Sequence, residues 1–220
     1  MSSTPSPQGN RVDRRKARTR AALIRAAQTL IAQGRMNVPI LEITQAADVG
    51  MGSFYNHFET KEQLFEAAVD VVLDGYGQLL DDLTAKIEDP AEVFACSFRF
   101  TGRLNRTEPE LSRVLLNNAL HLLSADTGLA PRVRRDIAAA VDAGRFKVAD
   151  LDVAVTMTAG VLLALGQLLN DQPERDVEAT TDRVTEDLLR MFGVPRRQAQ
   201  RICALSLPDI DAARGDGSVA

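Results

Sequence analysis

Apolar residues recur every three or four positions along almost the whole chain, and no segment alternates strictly between apolar and polar residues. The first spacing marks the buried face of an α-helix, whereas strict alternation would indicate a half-buried strand. Glycine and proline interrupt the pattern at Gly34, Pro90, Pro109, Pro131 and Gly193. Together with further breaks such as those at Gly50 and Gly144, they divide the chain into about ten helical segments, so we predict an all-α protein without internal repeats.

Local start and stop signals set the predicted helix boundaries. Thr60 and Gln63 form a capping-box pattern at the start of a long fourth helix, and either Asp150 or Asp152 is expected to cap the longest apolar helix. Asp48 stands in a turn where left-handed backbone is common. The other predicted helices cover 21–31, 40–47, 51–57, 91–105, 110–123, 131–144, 150–170, 174–192 and 196–206.

Charge is distributed unevenly along the 220 residues. The whole chain has 26 basic and 30 acidic residues, yet the segment 11–61 carries a net charge of +5 and the segment 62–220 carries −9. A basic module joined to an acidic remainder is typical of a polyanion-binding domain attached to a second domain. From the residues alone, the basic run from Arg14 to Arg20 is explained equally well as a solvated helix face.

Composition and motifs exclude several kinds of site. Cys96 and Cys203 are too few for a disulfide framework or a cysteine zinc site and indicate a reducing compartment. No catalytic, metal-binding or dinucleotide motif is present, so we predict no enzyme activity, cofactor or metal. The uncharged stretch 153–170 reaches the length of a membrane span, but its polar residues and acidic flanks favour a buried helix. Without a signal-peptide pattern in 1–10, we expect a cytoplasmic protein that binds no membrane.

The segment 40–57 has the pattern of a helix-turn-helix unit. Two short helices are separated by a three-residue turn, and Ile43, Val49 and Phe54 are expected to form a small core between them. The remaining face of the second helix carries groove-sized side chains, several with hydrogen-bonding ends. Such a helix is expected to enter the major groove of DNA with its N-terminal end toward the bases.

A longer motif strengthens this interpretation. The run Gly52-Ser53-Phe54-Tyr55-x-His57-Phe58, followed by Lys61-Glu62, resembles the DNA-binding signature of the TetR family of bacterial regulators. The segment from Gly144 to Asp150 resembles the family's lead into its penultimate long helix. The resemblance implies an N-terminal three-helix helix-turn-helix domain and a larger C-terminal helical domain for ligand binding and dimerisation. The predicted boundaries are an arm at 1–10, the DNA-binding domain at 11–66, the second domain at 67–207 and a flexible tail at 208–220.

The same resemblance implies a set of DNA contacts. Tyr55, His57 and Lys61 match residues that bind phosphates, and Ser53 and Asn56 match positions that contact bases or backbone. Gly50 and Met51 depart from the usual serine and basic residue, as Pro39 and Ile40 depart from the usual hydroxyl, so more affinity is expected from thymine methyl contacts and the arginine run. The full predicted DNA-binding set is Arg14, Arg15, Arg18, Arg20, Thr44, Gly50, Met51, Gly52, Ser53, Tyr55, Asn56, His57 and Lys61.

The last two long helices carry apolar stripes at alternating spacings of three and four, which suit a four-helix bundle. The residues alone also allow both stripes to face the core of one chain, whereas the resemblance implies pairing with a second copy. The predicted interface is Leu151, Val155, Leu162, Leu165, Val184, Leu188 and Met191. Within 91–170, a pocket for a neutral and mostly apolar ligand is predicted to use Phe94, Phe98, Asn117, His121 and Met157, without a charged constellation.

Together, these features predict a ligand-responsive transcriptional regulator. It would act as a homodimeric repressor that binds a palindromic double-stranded operator and is released by a small, mostly apolar effector. A helical carrier of a hydrophobic ligand is the alternative, which the basic first quarter and the recognition-helix motif disfavour. An enzyme is a further alternative, which the lack of catalytic motifs disfavours.

Overall fold

The computed structural model describes residues 7–109, 112, 113, 116 and 129–209. These residues are helical between their turns, with no strand among them, which confirms the predicted all-α class. Residues 112, 113 and 116 are also helical. The bounds of the longer helices are α1 Pro7–Ala32, α2 Ile40–Ala46, α3 Met51–Tyr55, α4 Lys61–Thr84, α5 Pro90–Thr107, α6 Leu129–Asp142, α7 Leu151–Asp171, α8 Val177–Met191 and α9 Arg196–Cys203.

The chain divides into two compact units. Unit 1 extends to Val72 and unit 2 begins at Leu73, whereas the sequence placed the boundary at residue 66. The difference arises because α4 is one continuous helix from Lys61 to Thr84, and its first half packs with the N-terminal helices. The buried side chains in this half of α4, which are Leu64, Phe65, Ala68 and Val69, therefore belong to unit 1.

Unit 1 is built from α1, α2, α3 and the first half of α4. Its core includes Leu23, Ile43, Phe54 and Leu64, all completely buried. The turn between α2 and α3 places Asp48 in the left-handed region with φ 52°, as predicted from its residue type. The helix α1 begins at Pro7, so residues 7–10 of the predicted arm are helical.

The start of α4 shows one of the two hydrogen bonds of the predicted capping box, and the other is shifted by one residue. Thr60 Oγ1 accepts a hydrogen bond from the backbone N–H of Gln63 at 3.2 Å, as the capping box requires. The side chain of Gln63 accepts from the N–H of Glu59 at 2.9 Å, one residue earlier than in the standard arrangement. Both bonds satisfy backbone donors at a helix end that would otherwise lack partners.

Unit 2 has an aromatic centre where three helices end or begin. The rings of Phe94, Phe146 and Phe192 lie 5.2 to 5.7 Å apart between centroids. The N–H of Lys147 donates to the carbonyl of Phe192 at 2.7 Å, which ties the loop after α6 to the end of α8. Asp150 caps α7 by accepting from two backbone N–H groups, which decides between the two predicted caps.

The predicted dimer stripe lies mostly inside one chain. Val155, Leu165 and Leu188 are buried in the core of unit 2, and Leu188 is only 1% exposed. The remaining half-buried members pack against the same core, and they are Leu151, Leu162 and Val184. The sequence therefore assigned Val155, Leu165 and Leu188 to the wrong partner, because a helix with two apolar faces has the same spacing on both. The interface role of the three half-buried residues stays a prediction. Of the predicted set, Met191 is exposed.

Helix α7 leaves its other apolar face uncovered. Among the described residues it is the helix that is long and apolar enough to span a membrane by length and composition, and 22% of that stretch is buried within the chain. The prediction of a buried helix is therefore wrong for the single chain. The uncovered face carries Val153, Met157, Gly160 and Ala164 at spacings of four, three and four residues.

A buried arginine joins α5 to α8 and to the chain after α9. Arg99 is 5% exposed, and its guanidinium donates two hydrogen bonds to Asp182 at 2.8 and 3.0 Å. A third bond from Arg99 reaches the carbonyl of Leu205 at 2.8 Å. Burial by itself would raise the pKa of Asp182, but hydrogen bonds from Arg99 and Arg103 outweigh it and hold the pKa below its usual value.

We predict that Asp182→Ala lowers the free energy of unfolding by about 3 kcal/mol, since it leaves Arg99 buried and unpaired. The matched control is Asp187→Ala, which removes only exposed ion pairs of α8 and should cost less than about 1 kcal/mol. Denaturant unfolding at neutral pH measures both. Because the folded-state pKa of Asp182 is lowered, the stabilisation that Asp182 gives the folded protein should vanish as the pH falls through this pKa. Equal losses in the two variants would contradict the role given to Asp182.

Candidate functional site

Helix α3 presents most of the predicted contact residues on one exposed surface of unit 1. Tyr55 is 59% exposed and Met51, Gly52 and Asn56 are also exposed, so Tyr55 is not a core aromatic. Phe54 is completely buried. Its ring and the Tyr55 ring pack in a T-shaped arrangement, with their centroids 5.3 Å apart. The remaining members of the predicted surface on or beside this helix are Gly50, which is exposed, and Ser53 and His57, which are half-buried.

Basic residues of α1 extend this surface. Burial lowers the pKa of His57, and the nearby charges of Lys16 and Arg20 lower it further. Arg20 also places its guanidinium over the Phe58 ring at 5.2 Å, which holds it beside the recognition helix. Lys16 was not among the predicted contacts, although its spacing of four from Arg20 places both on one face of α1.

The other predicted arginines of α1 do not share this face. Arg14, Arg15 and Arg18 are exposed. Helical geometry of 3.6 residues per turn places Arg14 and Arg18 on the side of α1 opposite Lys16 and Arg20. The structure therefore does not bring the whole basic run to one surface.

Lys61 and Thr44, both predicted DNA contacts, differ in how accessible the structure leaves them. Lys61 stands at the first residue of α4, half-buried, and its Nζ donates to Asn37 Oδ1 at 2.9 Å. Thr44 is 2% exposed and its hydroxyl donates to the Leu41 carbonyl at 2.9 Å. Thr44 was wrongly assigned as a contact, because the face of α2 on which it lies is used to pack unit 1.

Two glycines of the surface have no role in folding unit 1. A Cβ added at Gly50 or Gly52 would meet no atom within 4 Å, and the backbone at both has an ordinary negative φ or helical conformation. Neither internal packing nor backbone strain therefore requires a glycine. The small size at these positions fits close approach of another molecule at the start of α3.

Unit 2 contains a cavity of about 110 Å³ with mostly apolar walls. Phe94 and Phe98 line it, as the sequence predicted. Met157 does not, because it lies on the uncovered face of α7, and Asn117 and His121 lie outside the described residues. Hydroxyl and amide groups on the wall come from Ser97, Thr101, Asn105 and Thr158.

One end of the cavity is charged, contrary to the prediction of no charged constellation. Arg132 Nε donates to Asp81 Oδ2 at 2.9 Å, and Arg135 Nη2 donates to Asp81 Oδ1 at 2.7 Å and to Asp136 Oδ1 at 2.8 Å. All four residues line the cavity. The helical spacing of Arg132, Arg135 and Asp136 was a signal for a shared face, but their meeting with Asp81 depends on contacts between distant parts of the chain.

Burial and pairing shift the pKa values of the two cavity carboxyls, Asp136 and Asp81, in opposite directions. Burial raises the pKa of Asp136 in spite of the hydrogen bonds from Arg135. At Asp81 burial acts in the same sense, but hydrogen bonds from Arg135 and Arg132 outweigh it and lower the pKa. Among the described residues, no group of three or more His, Cys, Asp or Glu side chains is placed to hold a metal ion.

Family comparisons identify both units. Residues 23–68 match the model described as bacterial regulatory proteins of the tetR family, and residues 89–204 match that of the tetracyclin repressor-like C-terminal domain. The chain belongs to the TetR family. This TetR-family chain is therefore a ligand-responsive DNA-binding transcriptional regulator. Regulators of the family are soluble, bind DNA operators and act as dimers with small-molecule effectors.

Individual relatives agree with this assignment. The structure of RolR in complex with resorcinol is 35% identical, covers 90% of this chain and 99% of its own, and has a TM-score of 0.69. FadR from Bacillus subtilis with stearoyl-CoA is 17% identical, covers 77% of this chain and 97% of its own, has a TM-score of 0.58 and shows the fold alone. The transcriptional repressor KstR2 of Mycolicibacterium smegmatis is 33% identical over 87 residues, which are 37% of this chain and 42% of that repressor.

We predict that Gly52→Ala weakens DNA binding without destabilising the protein. The added methyl group meets no atom within the chain, but it reduces the space between α3 and a base pair. Binding to the duplex that the wild-type protein selects from a random pool should fall roughly tenfold or more, the equivalent of about 1.4 kcal/mol. The matched control is Gly75→Ala on α4, which is also exposed and meets no atom. Unchanged DNA affinity in Gly52→Ala would contradict close approach at this residue.

Proposed function

We propose that this regulator is a cytoplasmic repressor that releases its operator when a small hydroxylated aromatic compound fills the cavity of unit 2. The observation that carries the proposal is the combination of apolar walls with carboxylates at one end. Phe94 and Phe98 offer ring contacts, while Asp81 and Asp136 offer hydrogen-bond acceptors. RolR, which is 35% identical, is described in complex with resorcinol, a benzene ring with two hydroxyl groups.

The size of the cavity supports a single ring. A volume of about 110 Å³ is of the order of cavities that hold one benzene molecule. A long acyl chain would need a much larger enclosed space. Ser97, Asn105 and Thr158 on the wall give further hydrogen-bond partners for a second hydroxyl. We therefore still propose a mostly apolar and neutral effector, but one that carries a polar group at one end.

For the operator, we propose that the surface of α3 contacts bases in the major groove and that Lys16, Arg20 and His57 contact phosphates beside it. The positive charges of Lys16 and Arg20 lie close to His57, because both of them lower its pKa. The predicted phosphate contact of Lys61 remains part of the proposal. Two such surfaces, one from each copy, would read a palindromic operator in successive major grooves.

For the dimer, we propose that the uncovered face of α7 packs against a second copy. Val153 and Met157 are 52% and 37% exposed, although both are large and apolar. Gly160 follows, with open space where a side chain would stand, so a partner helix has room to approach closely. Met191 on α8 is also exposed and is retained in the proposed interface.

We predict that Met157→Glu converts the dimer to a monomer while unit 2 stays folded. The new carboxylate lies on the uncovered face, where it is solvated in the single chain and unpaired in the interface. Sedimentation measures the mass, and circular dichroism checks the fold. The control is Gln200→Glu, which adds the same charge at an exposed position of α9 and should remain dimeric. A dimeric Met157→Glu would show that another face pairs.

We predict that resorcinol and operator DNA weaken each other's binding by the same factor. Reciprocity follows from linkage, and couplings of about 1–3 kcal/mol correspond to roughly 5–150-fold. Calorimetry with resorcinol, with and without the selected duplex, and DNA retardation, with and without resorcinol, give the two factors. Resorcinol binding without any effect on DNA affinity would contradict the repressor mechanism. Resorcinol binding by a protein that selects no DNA would favour the carrier instead.

A further inference from the structure

Among the described residues, the charged end of the cavity pairs two carboxylates of its wall, Asp81 and Asp136, with two guanidinium groups, those of Arg132 and Arg135. Asp74, Asp81 and Asp136 meet Arg132 and Arg135 in one cluster. Each guanidinium already bonds two carboxylates: Arg132 to Asp74 and Asp81, both at 2.9 Å, and Arg135 to Asp81 at 2.7 Å and Asp136 at 2.8 Å. With all five groups ionised, these described residues have a net charge of −1, to which Asp74 contributes from outside the cavity wall.

Helix α4 holds Arg132 in place against this cluster. A Cβ added at Gly77 would lie 2.6 Å from Arg132 Nε and 2.7 Å from its Cζ, so the guanidinium lies directly on the α4 backbone. Asp74 and Asp81 stand on either side of Gly77, three residues before it and four after it. An anion in the cavity would therefore have to share this guanidinium with both carboxylates.

The cluster therefore treats neutral and anionic ligands differently. A phenol hydroxyl can donate to an oxygen of Asp136 or Asp81 while the existing ion pairs remain. A carboxylate ligand would compete for guanidinium groups that are already bonded and would lie beside two carboxylates. Asp136 is 8% exposed, so little solvent screens this repulsion.

The protonation behaviour of Asp136 agrees with this geometry. Burial raises its pKa above the usual value, and the charge of nearby Asp81 acts in the same sense. Asp136 is already an anion in an unfavourable environment, and a second anion nearby would add to that cost.

We propose that Asp136, together with Asp81, makes the cavity select neutral phenols and reject aromatic carboxylates of the same shape. This inference rests on the proposed function, because it presumes that the cavity binds a small hydroxylated aromatic ring. It goes further in assigning the selection to charge, with Asp136 as the residue that determines specificity.

Three probes test the proposal on the wild-type protein by calorimetry: resorcinol, 2,4-dihydroxybenzamide and 2,4-dihydroxybenzoate. The amide and the carboxylate have nearly the same shape and differ in charge. We expect resorcinol to bind and the amide to bind roughly tenfold or more tightly than the carboxylate, a ratio that corresponds to about 1.4 kcal/mol. Equal affinities of the amide and the carboxylate, or binding of neither while resorcinol binds, would show that charge does not decide and would overturn the inference.

Asp136→Asn tests the residue itself, because it removes the charge and keeps the volume. We expect the amide-to-carboxylate affinity ratio to fall by roughly tenfold, toward equality. The control is Asp82→Asn, which removes one charge from an exposed position of α4 outside the cavity wall and should keep the wild-type ratio. Asp81→Asn is the second variant if Asp136→Asn does not fold, as judged by thermal melting. An unchanged ratio in a folded cavity variant would overturn the role of that residue.

The outcomes separate the two levels of the argument. If none of the three probes binds, the proposed effector class is wrong and the selection inferred from it falls as well. If resorcinol binds and weakens DNA binding while the amide and the carboxylate bind equally, the proposed function stands and the charge selection is wrong.

Discussion

The charge of Arg99 has to be matched inside the protein, because almost none of its surface reaches solvent. Asp182 on α8 and the Leu205 carbonyl after α9 provide the match, and they fix α5 between these two parts of unit 2. With α5 held in this way, the neighbouring Phe98 and the more distant Asn105 are positioned on the cavity wall. The wall of the cavity therefore depends on an ion pair that is not part of it.

The two units use charge in different ways. In unit 1, the cations of α1 remain exposed beside α3, where Lys16 and Arg20 lower the pKa of His57, and an external polyanion can bind them. In unit 2, the charges at the end of the cavity are paired with one another, as Arg132 and Arg135 are with Asp81. An outward positive surface suits a DNA backbone, whereas an internally paired cluster with carboxylate oxygens as acceptors suits a neutral hydrogen-bond donor.

The sequence predicted the local geometry around α3 well because the residues that determine it are close together in the chain. The turn at Asp48, the burial of Phe54 and the exposure of Tyr55 follow from short-range helix geometry and residue type. The prediction went wrong where packing between helices decides, as for Thr44, which the fold buries. The basic run was treated as a unit, whereas α1 is a helix that turns Arg14 and Arg20 to different sides.

The sequence by itself determined the all-α class, the helix-turn-helix unit and the cap at Thr60, because each depends on residues within a few positions of one another. Only the tertiary structure decided which face of α7 is covered. Both Val155 and Met157 belong to apolar stripes of helical period, and packing against α5 and α8 buries the first while leaving the second exposed. The charged end of the cavity was likewise decided by the fold. Asp81 and Arg132 are 51 residues apart, and no local pattern specifies that two such distant groups will meet.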